Sequence, residues 1–305
     1  MDPLVVVQIV VAAAQDMLFA VAVGALVCGV LLGRQDQGRA AASVTLGRSR
    51  LDALCVLVLA CGLYLWLQAA VMSGSAFSDA GAAVGAVLRQ SHFGIAWSVG
   101  FAGAVFACLG GTRNSRPAWW LATVGILVYV AGKASASHAA DAGDFTVREA
   151  AHVVHLSATA LWAGSVIVAA PVLWRWNDPA SATPLRRVAF CTQLSHLATI
   201  ALAVVIVTGL YNVTQDTAHL TAPLLSVLYG RVLTLKLVFV TLAVLLGGYN
   251  RMIYLPHLRT TAEDGGAAYR DAQRGIDRLL AVEAVVMLAV LAVAGVLGHT
   301  SPSGG

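Results

Sequence analysis

A chain of 305 residues that is 59% hydrophobic and only 11% charged lies far from soluble domains, in which about a quarter of residues carry charge. Its apolar residues are gathered into long blocks, so the chain reads as an integral membrane protein. The formal charge of +4 does not signal nucleic acid, because the basic residues fall between apolar blocks and not on one surface. Their natural partners are the lipid bilayer's headgroups.

Eight blocks predict eight transmembrane helices, at about 4–32, 51–71, 86–110, 118–137, 147–172, 187–213, 226–250 and 276–298. Each is long enough to cross hydrocarbon at about 1.5 Å per residue. The first follows Met1-Asp2-Pro3 with no basic stretch ahead of it and is too long for a signal-peptide core, so it is expected to be retained. It carries Gln8, Gln15 and Asp16. Met72 ends the second block. His92 falls about 9 Å below the start of the third. The fourth leads into His138, Asp141 and Asp144. The fifth opens with His152 and His155, the sixth holds His196 near its middle, the seventh holds Lys236 and the eighth holds Glu283. The longest polar stretch, about 251–275, is expected to be a cytoplasmic loop. No linker is long enough for a second domain, so residues 1–305 are expected to form one all-α membrane domain.

Fourteen Lys and Arg residues flank the odd-numbered connections and four the even-numbered ones. By the positive-inside rule, both termini and the even connections face outward. Six of the eight histidines then fall on the outer half. His152 and His155 are neighbours on one helical face, and His92 is expected at matching depth. Imidazole is a common metal ligand and suits copper. The predicted outer site therefore comprises His92, His138, His152 and His155, with Asp141, Asp144 and Met72 assisting. Ionisable groups within spans are costly and mark pathways or buried pairs. Gln15, Asp16, His196, Lys236 and Glu283 are the candidates, with Lys236 expected to pair with Glu283 or Asp16. The five cysteines all lie in apolar blocks. That argues against a disulfide framework and for small packing residues, with soft Cu(I) ligation as the alternative.

Several local patterns, in order, resemble the CopD/PcoD copper-resistance membrane proteins. They are Ser137-His138-Ala139; His155 with Leu156, Ala158, Trp162, Ala163 and Gly164; Thr208-Gly209; Tyr229-Gly230 with Leu233 and Lys236; Asn250-Arg251 with Pro256; and Arg278 with Glu283. The first 130 residues agree mainly in span number and character. The resemblance implies a bacterial inner-membrane protein that takes copper inward beside a separate periplasmic carrier of the CopC type, and it assigns roles to His138 and His155. His92 and His152 fall outside the family's pattern and rest on depth and spacing alone. The competing reading is a b-type haem membrane oxidoreductase, of quinone or cupric reductase type, with His92 and His155 as axial ligands. A third is an assembly factor that holds copper for handover. No Cys-x-x-Cys-His is present for thiol-attached haem.

Overall fold

The computed structural model describes residues 2–33, 39–113, 115–137, 143, 145–177, 182–215 and 227–300. Among them the chain is helical throughout, with no strand. The helices are α1 (Pro3–Gly33), α2 (Arg39–Ser73), α3 (Gly81–Gln90), α4 (His92–Gly111), α5 (Arg116–Ser135), α6 (Val147–Arg175), α7 (Pro184–Gln215), α8 (Leu228–Tyr249), α9 (Leu255–Thr261) and α10 (Gly266–Leu297). Eight spans are long and apolar enough to cross a membrane, the seventh running from Leu228 through a π-helical turn at Asn250–Tyr254 to Thr261. An even number of spans returns both chain ends to one end of the bundle, here named the terminal end; the opposite one is the loop end.

Starts are set by local chemistry. Pro3 opens α1, where its missing N–H costs nothing, and the Asp2 carboxylate accepts from Leu4 N–H at 2.9 Å. Ser91 caps α4 by accepting from Gly94 N–H at 3.0 Å, and Thr146 caps α6 by accepting from Glu149 N–H at 3.2 Å. Glu149 in turn accepts from Phe145 N–H at 2.7 Å and from the Ser135 hydroxyl. One buried acid thus ties the end of α5 to the start of α6.

α1, α6 and α10 form the centre. α2 lies on α1, the α4–α5 hairpin lies beside them, α7 packs on α6, and α8 packs on α10. Lipid is as apolar as leucine, so close backbone approach is what holds such helices together. At the α1–α6 crossing, a methyl on Gly24 would overlap the Gly164 backbone, and one on Gly164 would overlap the Ala20 carbonyl. The core continues through Ala20, Cys28, Val130, Ala163, Leu173, Phe190 and Met287. At the loop end, a buried ion pair of Arg187 with Asp277 clamps α7 to α10, helped by Gln273 Nε2 donating to Asn177 at 2.5 Å. α7 and α8 are not principal neighbours of each other, and few of their side chains are fully buried.

Three expectations need correction. The third block is broken: residues 81–90 form a separate short helix lying on α2 and α4. The extended backbone and cap at Ser91 end it, so His92 is the first residue of its span and not about two turns inside it. The polar stretch 251–275 is largely helical, comprising the π turn, α9 and the first turns of α10. Its charges are exposed, on the outward faces of these helices and, for Glu263 and Asp264, in the turn between α9 and α10. The cysteines are not uniformly packing residues. Cys28, Cys61 and Cys191 are buried, but Cys55 is exposed and its Sγ lies 3.4 Å from Cys108 Sγ across the α2–α4 contact.

Candidate metal site at the terminal end

His152 and His155 lie in the first turns of α6, with rings 6.5 Å apart between centroids and only 12° from parallel. The capped, acid-tied start of α6 fixes their height. His155 reaches across to α7, where its Nδ1 is 2.9 Å from Thr208 Oγ1 and its ring lies against Gly209, which leaves room for it. The single hydroxyl hydrogen of Thr208 is donated to Val204 O at 2.7 Å. In the tautomer in which that hydrogen stays on Val204 O, Thr208 accepts from Nδ1–H of His155 and Nε2 keeps its lone pair. This is the outer-partner arrangement that prepares an imidazole as a ligand.

Charges from three other helices surround the pair. Lys133 Nζ of α5 is 2.5 Å from Asp16 Oδ1 of α1, with side chains 23% and 18% exposed. Lys236 of α8 is close enough to act electrostatically on Asp16, His152 and His155. The expected pairing of Lys236 with Asp16 or Glu283 is thus corrected: Lys133 takes Asp16, and Glu283 lies toward the loop end. Helical rise gives depth but no rotation, so the sequence did not reveal which lysine faces Asp16. A cation at the imidazoles would meet two ammonium groups and one carboxylate.

A polar layer joins α1, α2 and the end of α10. Gln8 donates to Gln68, Gln15 donates to Ala60 O at 3.0 Å, and Tyr64 OH is 3.0 Å from His299 Nε2. Sequence reasoning overlooked Thr208 as a positioning group, and also Lys133, Tyr64, Gln68 and Glu149. Thr208 was visible only as half of a Thr-Gly pattern, and Lys133 only as one more interfacial charge.

The other candidates scatter. His92 is exposed at the start of α4, a helix packed on α5, α2 and α3, whereas α6 packs chiefly on α1, α7, α10 and α5. Met72 is 51% exposed at the end of α2. His196 is on an exposed face of α7. Gln15 and Glu283 are buried. His138, Asp141 and Asp144 lie outside the described residues. Among the described residues, no group of three or more His, Cys, Asp or Glu is placed to hold a metal ion. The pair by itself supplies two nitrogen donors, enough to begin a copper shell and not to complete one.

Residues 188–297 match the family model described as copper resistance protein D, and residues 1–147 match that of the copper resistance protein D-like N-terminal domain. The two matches leave out 148–187, most of α6, and the tail beyond 297. No curated protein and no solved structure matches the chain.

Proposed function

The chain belongs to the copper resistance protein D family, a multi-pass membrane family with a role in copper resistance or transport, and from that premise we propose that it takes up copper at its terminal end and passes it inward across a bacterial inner membrane. Copper is the cargo. The observation that carries this reading is the His152/His155 pair, with His155 Nδ1 tied to Thr208 Oγ1 at 2.9 Å and Nε2 left free to bind. Imidazole nitrogen suits copper in either common oxidation state. His138, Asp141 and Asp144, in the connection preceding α6, supply the remaining donors. His92 and Met72 stand at exposed positions at the same end of the bundle and act as first contacts.

The terminal end faces the periplasm in this reading, as the distribution of Lys and Arg indicates. A separate copper carrier of the CopC type delivers the ion there. From the imidazoles the route runs past Asp16, Gln15 and Lys236 toward Glu283, polar groups whose presence in spans is otherwise costly. The haem alternative draws no support from the packing, because the helices bearing His92 and His155 are not principal neighbours.

The test is copper accumulation in sealed vesicles containing the purified protein. Wild type is expected to load copper. The double variant His152→Ala/His155→Ala and the single variant His138→Ala are expected to lose most of that uptake while still inserting as folded protein. Equal uptake by wild type and the double variant would remove the histidine pair from the mechanism.

A further inference from the structure

A cleft of about 440 Å³ opens at the loop end between the π turn and α10. Two departures from regular helix build its wall. The turn at Asn250–Tyr254 is π-helical, closed by Leu255 N–H donating to Asn250 O. Widening a turn to i→i+5 bonding brings residues five apart onto one face. The rings of Tyr249 and Tyr254 therefore meet, 5.5 Å between centroids and 75° from parallel. Opposite them α10 carries Gly275, an unfavourable residue within a helix. A Cβ there would overlap the Tyr254 ring, so the glycine is what lets the ring lie against α10.

The lining changes with depth. α10 starts at the loop end, so Asp271 and Arg274 stand outermost, Arg278 one turn further in, and Leu279 and Val282 innermost. Between Asp271 and Val282 the helix rises about 16 Å, enough to reach from headgroups into hydrocarbon. Val282 is 51% exposed, so the inner end of the cleft is open to acyl chains. Asp271 is the one acid in the lining, and it pairs with Arg274 at 2.5 Å. Among the described residues, Arg278 makes no hydrogen bond or ion pair. The cleft thus has one positive charge in excess, on a guanidinium with unused donors, beside two phenols and above an apolar floor.

A guanidinium matches a phosphate with two parallel N–H donors. Tyrosine suits positions where one end of the ring is apolar and the other wet. A ligand with one phosphodiester charge and a hydrocarbon tail meets both halves of the cleft, and its charge balances the excess. Basic pockets at the cytoplasmic ends of spans hold such headgroups, and the loop end faces the cytoplasm in the orientation proposed above.

We propose that this cleft binds one anionic phospholipid, with its phosphate on Arg278 and Arg274, its headgroup against Tyr249 and Tyr254, and an acyl chain over Leu279 and Val282. Arg278, half of the Arg…Glu pattern of the last span, has no part in the copper route, and the lipid gives it one. The π turn and Gly275 then serve one end, which is to hold two phenols beside that guanidinium.

The test is lipid competition on the purified full chain in detergent, read by native mass spectrometry as lipids retained. Phosphatidylglycerol and phosphatidylcholine with identical chains are compared. Wild type is expected to hold one phosphatidylglycerol about tenfold more tightly than phosphatidylcholine. Arg278→Gln is expected to lose that preference and to stay folded, since the side chain is exposed and holds no structural partner. Arg270→Gln removes the same charge from an exposed position of α10 outside the cleft, and is expected to keep the preference. No preference in wild type, an unchanged preference in Arg278→Gln, or an equal loss in Arg270→Gln overturns the proposal. Excess glycerol 3-phosphate is expected to leave the lipid bound. Displacement of the lipid by it would make the cleft a site for soluble phosphates and overturn the lipid assignment.

Discussion

Thr208 Oγ1 lies 2.9 Å from His155 Nδ1 and, with its one hydrogen on Val204 O, holds the tautomer that leaves Nε2 as the donor to a metal. Thr208→Val keeps the shape and removes the acceptor. Copper affinity is expected to fall about 10- to 100-fold, the usual effect of losing an outer partner of a metal-binding imidazole, with no loss of folded protein. Unchanged affinity by chelator competition would mean that the ring needs no such support. Lys236 acts in the opposite sense, since an ammonium near the imidazoles repels a cation. Lys236→Gln is expected to tighten copper binding about tenfold, a change of about 1.4 kcal/mol. Weaker binding would show instead that the amine assists the ion. His152 and His155 were legible because three-residue spacing on a helix puts two rings on one face. The Asp16–Lys133 pair was not, because two spans far apart in sequence must be rotated toward each other, and hydropathy is blind to rotation.

Helices meet in this bundle where side chains nearly vanish. Gly24 and Gly164 let α1 and α6 touch backbone to backbone, so Gly164→Val must push the two apart. A cost of about 1–3 kcal/mol is expected, read as a lower unfolding temperature in detergent. An unchanged transition would contradict the crossing. The α2–α4 contact has its own reporter in Cys55 and Cys108, whose sulfurs are 3.4 Å apart. A mild oxidant is expected to join them within one chain, detectable as a linked peptide, and the link should be absent in Cys55→Ser. Failure to link under conditions that oxidise both thiols would contradict this packing. Element number and order were legible, since twenty apolar residues in a row have few other uses. The break at Ser91 was not. Val84, Val87 and Leu88 carry the hydropathy of the short α3 straight into α4, and Ser91 lacks the acid three residues later that would have marked a helix start. The polar length of α9 and early α10 was mistaken for loop because charge on the exposed face of a helix resembles charge in a coil.

Over the whole molecule, two polar regions stand at different depths of one apolar bundle. One contains imidazoles and lysines around Asp16. The other contains Glu283 in a cavity between helices α7 and α8, which do not pack closely on each other. The sequence indicated the first region as a layer of histidines, but not the cavity, which exists only because α7 and α8 each lean on a different central helix. The proposed orientation rests on the basic residues alone, so a reporter fused to the C-terminus is expected to be active only if it works outside the cell; activity of a cytoplasm-only reporter would reverse the direction of the route. The most direct test of the account is an equilibrium titration of copper against the purified chain and its His152→Ala/His155→Ala form, with a competing chelator to fix the affinity. The account predicts that the tightest binding is lost in the double variant while the protein stays folded. The same stoichiometry and affinity in both would contradict it.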